Sequence, residues 1–98
     1  MVESVMIPSL SKFYKILSDY SRLKIVLSLL NQEKCVGDIE KEVGMSQTAV
    51  SYQLKELKKV HLVKYRREGK NIFYSIDDDH VKDIINITIE HIRHEDEC

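Results

Sequence analysis

Ile39-Glu40-Lys41-Glu42-Val43-Gly44-Met45-Ser46-Gln47-Thr48-Ala49-Val50-Ser51-Tyr52-Gln53-Leu54 is the stretch from which the architecture of this chain can be read. Ile39 and Val43, at i and i+4, put two apolar groups on one face of a short helix that starts at Gly37 or Asp38. Gly44 follows where a helix ends in a left-handed residue, a conformation that costs glycine no side-chain clash. Met45-Ser46 then turns the chain, and Ser46 is placed to cap a second helix running to about Lys59. A short helix, a glycine in the turn, a polar cap and a longer helix make a helix-turn-helix. On the longer helix Val50, Leu54 and Leu57 gather on the core side. Gln47, Thr48, Ser51, Lys55 and Lys58 gather opposite, offering the amides, hydroxyls and ammonium groups that read base edges and phosphates in a major groove.

Beyond this unit, Leu62 to Arg67 and Ile72 to Ile76 are rich in β-branched and aromatic residues and are joined by Glu68-Gly69-Lys70-Asn71, which predicts a hairpin with a charged tip. Arg66, Arg67 and Lys70 bring cations within reach of a neighbouring phosphate or minor groove. Before the unit, Leu10, Phe13 and Leu17 predict an amphipathic helix after Pro8. Asp19-Tyr20-Ser21 supplies a break with capping chemistry, and Leu23, Val26, Leu27 and Leu30 predict a second helix ending near Asn31-Gln32. Cys35-Val36 reads as a strand fragment or helix lead-in.

A closing helix runs from about Asp78 to beyond Ile92 with two apolar stripes, one through Val81, Ile85 and Ile89 and one through His80, Ile84, Ile87, His91 and His94. So wide an apolar surface points to a partner, with residues 1–18 and 78–94 predicted to form a dimer interface. Asp78, His80, His91 and His94 are all metal-competent. His91 and His94 share a helical face, but His80 and His91 lie roughly 16 Å apart along one axis, too far for a single ion. Two antiparallel copies solve this. The index sums of the pairs 78/94 and 80/91 agree to within one, so Asp78 and His80 of one chain meet His91 and His94 of the other, and symmetry repeats the site. One carboxylate and three imidazoles suit tetrahedral Zn(II), with Co(II) as surrogate and Ni(II) if the coordination number expands.

With 98 residues and 43% hydrophobic content the chain makes one domain, residues 1–98, thin enough in its core for a dimer to help stabilise it. The net charge of −1 hides an asymmetry: Lys55 to Lys70 is basic, and Asp77 to Glu97 is acidic. No apolar run approaches the roughly 20 residues of a membrane span, and Met1-Val2-Glu3-Ser4 lacks the basic start of a signal peptide, so a cytoplasmic protein is expected. Cys35 and Cys98 form no disulfide framework. An enzyme is not expected, because four protein ligands fill a tetrahedron and no nucleophile–base constellation is present.

The order helix, helix, helix-turn-helix, hairpin, helix is that of a winged helix-turn-helix domain, mainly α with about five helices and a two-stranded wing. Its residues resemble the ArsR/SmtB family of bacterial metal-responsive repressors, through Leu17-Ser18-Asp19-Tyr20-Ser21-Arg22-Leu23, Cys35-Val36-Gly37-Asp38-Ile39, Met45 to Leu54 and Leu62-Val63 through Lys70. Asp78-x-His80 with His91-x-x-His94 resembles the branch that senses zinc through paired C-terminal helices. The resemblance implies a homodimer that binds an inverted-repeat operator without metal and releases it with metal, derepressing metal efflux or resistance genes. It implies Ser46, Gln47, Thr48, Ser51 and Tyr52 on the DNA-reading helix, with Arg66, Arg67 and Lys70 on the wing. Tyr52 departs from the family's usual histidine. Cys35-Val36-Gly37 keeps one cysteine of a second family metal site, which marks Cys35 with Asp38 as a remnant and the thiol as a buried structural one. Two alternatives stand beside this reading: a purely structural zinc site, and a repressor sensing thiol oxidants through Cys35 and Cys98.

Overall fold

The computed structural model describes residues 4–96. Five helices and one hairpin follow in the order α1 Met6–Leu17, α2 Tyr20–Ser28, α3 Val36–Val43, α4 Gln47–Lys59, β1 Val63–Glu68, β2 Asn71–Ile76 and α5 Asp79–Asp96. This is the winged helix-turn-helix expected.

α1 begins earlier than predicted, at Met6, and takes Pro8 into its first turn, where a missing N–H breaks no intrahelical bond. The Asp19 carboxylate accepts the Arg22 N–H at 3.0 Å and starts α2. α2 then stops at Ser28, before the predicted Asn31-Gln32. Its buried residues match expectation at Val26 and depart from it at Ile25 and Leu27. Ile25 and Val26 are fully buried, whereas Leu27 is 46% exposed and turns toward α1 and α5.

Ile25, Leu29, Ile39, Val50, Leu54, Leu57, Leu62 and Val63 form the centre of the core, where α2, α3, α4 and the base of the hairpin meet. The hairpin pairs Val63 with Ile76 and Glu68 with Asn71, leaving Gly69-Lys70 as a two-residue turn. Gly69 takes φ 62°, the positive value that such a turn demands. Lys34 adds a third, one-residue strand: its N–H donates to Tyr74 O at 2.9 Å and its carbonyl accepts from Tyr74 N at 2.8 Å. Of the two readings of Cys35-Val36, the structure takes the helix lead-in: Cys35 is the N-cap of α3 and Val36 its first residue, while the bridge falls one residue earlier, at Lys34.

α5 packs its first turns on β2 through Val81 and Ile85. Farther along, Ile87 is 64% and Ile92 51% exposed, and an apolar groove runs between Tyr14, Leu17, Leu27, Ile84, Ile89 and Ile92. No helix among the described residues is long and apolar enough to cross a membrane.

Candidate functional site

Gly44 closes α3 at φ 70° in the left-handed conformation, and Ser46 Oγ accepts the Ala49 N–H at 3.2 Å to open α4. These two local devices fix the angle between the helices, and Val50, Leu54 and Leu57, fully buried, fix the rotation of α4 about its axis. The opposite face is left to solvent: Gln47, Thr48, Ser51, Lys55 and Lys58 are exposed, as their spacing predicts, and so are Ser46 and Tyr52, which the resemblance added. One residue on this helix was not singled out by sequence. Gln53 Oε1 accepts from Arg22 Nε at 2.7 Å, tying α4 to α2 across a separation that no local pattern reveals. Lys58 Nζ lies 4.4 Å from the Tyr65 ring centroid and links α4 to the wing.

The three predicted wing cations part company. Arg66 donates from Nε to Glu33 Oε2 at 3.0 Å and from Nη2 to Glu33 Oε1, reaches Glu68 through Nη1, and lies over the Phe73 ring at 4.7 Å. The hydrogen bond from Arg66 holds the Glu33 carboxyl below the usual carboxylate range, and Glu33 and Glu68 in turn raise the guanidinium. Arg67 and Lys70 are exposed, and neither side chain has an ion pair among the described residues.

At α5, Asp78 is the cap. Its Oδ1 accepts the N–H of His80 at 3.1 Å and of Val81 at 3.3 Å, and lies 2.8 Å from His80 Nδ1. Asp78 and His80 are thus already side by side, each with a second donor atom, Oδ2 and Nε2, beyond these contacts. His91 and His94 sit together near the other end of the helix, lining one shallow hollow with Ile87 and Glu90. Within one chain the two pairs do not meet, and the described residues contain no group of three or more ligands able to hold an ion. The donor set of one carboxylate and three neutral imidazoles fits a borderline divalent cation.

His61 occupies the junction between α4 and β1 with φ 61°, in the left-handed region that favours glycine. Its Nδ1 is 3.9 Å from Asp77 Oδ2, and the Asp77 N–H donates to Leu62 O at 3.1 Å. The end of α4 is thereby joined to the residue preceding Asp78. Cys35 is half-buried rather than buried, and its thiol donates to Asp38 Oδ2 at 3.3 Å. Cys98 lies outside the described residues.

Residues 19–65 match the family described as bacterial regulatory protein, arsR family. Over 87 residues the chain is 39% identical to the transcriptional repressor SmtB homolog of Synechocystis sp., covering 89% of this chain and 66% of that protein. Over 84 residues it is 40% identical to the cadmium resistance transcriptional regulatory protein CadC homolog of Staphylococcus aureus, covering 85% and 69%. The chain spans about two thirds of the length of these two relatives. The homodimeric winged helix-turn-helix DNA-binding domain Mb0332 of Mycobacterium bovis superimposes with a TM-score of 0.79 at 29% identity, covering 93% of this chain and 88% of that one.

Proposed function

The chain belongs to the arsR family of bacterial regulatory proteins, and on that footing we propose that it is a metal-responsive transcriptional repressor. Its homodimer binds an inverted-repeat operator through α4 and the wing, and lets go when Zn(II) is held between the two copies of α5. One observation carries the metal half of this reading: Asp78 with His80 and His91 with His94 stand at opposite ends of a helix that leaves Ile87 and Ile92 exposed between and beside them. An antiparallel second copy covers these two residues and brings each half-site to its complement. Apolar surface from α1 and Leu27 continues the same face.

Zinc supplies a Lewis-acidic centre that favours four ligands. Everything else is done by the chain. Asp78 and His80 are held in position by the cap of α5, so that half-site is organised before a second copy arrives. Because Asp77 is bonded to Leu62 and faces His61, committing Asp78 and His80 to a second copy loads the junction that ends α4. The angle between the two DNA-facing helices then no longer suits successive major grooves. The coupling is reciprocal: a weakening of about a hundredfold in operator affinity corresponds to roughly 3 kcal/mol, and operator lowers metal affinity by the same factor. The CadC homolog's name concerns cadmium resistance. The thiol-free donor set here favours the less soft zinc.

The test is operator affinity with and without Zn(II), read beside Co(II) absorption in the H80A, H91A and H94A variants. The expected outcome is loss of the Co(II) spectrum and of metal-driven release, with metal-free DNA binding retained. An operator affinity that Zn(II) leaves unchanged in the intact protein would refute the switch. Unfolding on chelation would instead show a structural zinc.

A further inference from the structure

The wing is not a free arm, and what holds it is a dipeptide in the loop between α2 and α3. Lys34 pairs by backbone with Tyr74 of β2, while its Nζ reaches Ser28 O at the end of α2 and Glu42 on α3. Glu33, next to it, takes two of the three guanidinium nitrogens of Arg66 on β1, Nε and Nη2. Two neighbouring residues thus grip both wing strands and both helices that flank the loop. The Arg66–Glu33 contact is the fork-to-carboxylate geometry in which an exposed pair contributes measurably, and stacking over Phe73 fixes the guanidinium plane.

The pleat separates Arg66 from its neighbour. Tyr65 faces Lys58 of α4, and alternation along β1 puts Arg67 on that same face and Arg66, opposite Phe73, on the other. Arg66 is therefore directed to the loop, and Arg67 to the side of the DNA-facing helix.

We infer that Arg66 is a positioning residue, setting the angle of the wing against the helix-turn-helix through Glu33, and that the wing's phosphate contacts fall to Arg67 and Lys70. This rests on the DNA-binding reading above. Losing the clasp lets the wing pivot about Lys34, so Arg67 and Lys70 meet phosphate less often although neither has been altered.

The probe is an operator duplex selected from a random pool by the wild-type protein, and affinity is followed by fluorescence anisotropy over a range of salt. The proteins are wild type, E33Q, R66E and the exchange E33R/R66E, each held below its melting temperature as measured by circular dichroism. E33Q, which leaves every cation in place, is expected to weaken binding about threefold to fivefold with a shallower salt slope. R66E weakens it further, and the exchange recovers most of that loss. E33Q that binds equally well or more tightly, with a steeper salt slope, would show Arg66 freed to meet phosphate and overturn the inference. So would an exchange no better than R66E. Wild-type protein that selects no duplex would overturn the DNA-binding reading itself, and the inference with it.

Discussion

Two residues with similar positive φ have opposite prospects under substitution. Gly44, at φ 70°, has open space around the position of a Cβ, so alanine there meets only backbone strain. With the left-handed penalty at about 1–2 kcal/mol, G44A should lower the melting temperature by roughly 4–8 °C for each kcal/mol lost. His61 already carries that strain at φ 61°. H61G relieves it and gives back about 0.5–1 kcal/mol in chain entropy, so a net gain on the order of 0.5 kcal/mol is expected. Thermal melts of both variants check the pair. Among the wing cations, R67A and K70A should each weaken operator binding uniformly across sequences and reduce the salt slope by about 0.9, measured as affinity against salt concentration.

At the scale of an element, α5 shows one carboxylate in two roles. Asp78 caps the helix through Oδ1 and is also proposed as a metal ligand. Asparagine caps about as well as aspartate but brings no negative charge to a cation, whereas alanine does neither. D78N should therefore keep the wild-type melting temperature in metal-free protein and lose Zn(II) affinity. D78A should lose about 1 kcal/mol of stability as well. Calorimetry for the melt and a competitive chelator titration for the metal separate the two. α4 divides its roles by face instead: the side carrying Val50, Leu54 and Leu57 is buried, and the side carrying Gln47, Thr48 and Ser51 is exposed.

For the whole molecule, the partly exposed stripe of α5 and the groove beside α1 are the proposed assembly surface. I92D places a charge within the proposed interface, and unpaired charge buried there is expensive. Sedimentation should show a monomer, with circular dichroism unchanged because Ile92 is already 51% exposed in the single chain. Operator affinity and Co(II) binding should fall together, since both sites need two copies. A variant that remains dimeric and binds metal normally would show that the interface lies elsewhere.

What the residues alone made legible was whatever depends on near neighbours in the chain. The Gly44 turn, the Ser46 and Asp19 caps, the hairpin turn at Gly69 and the polar face of α4 all follow from spacings of a few residues, where backbone geometry leaves few choices. Contacts between distant elements were not legible. Nothing in the order of residues tells that Arg66 is spent on Glu33, that Gln53 serves Arg22, or that Ile25 rather than Leu27 enters the core. Those outcomes depend on how helices and strands pack once formed, because a side chain's partner across the fold is set by the three-dimensional arrangement and not by its place in the chain.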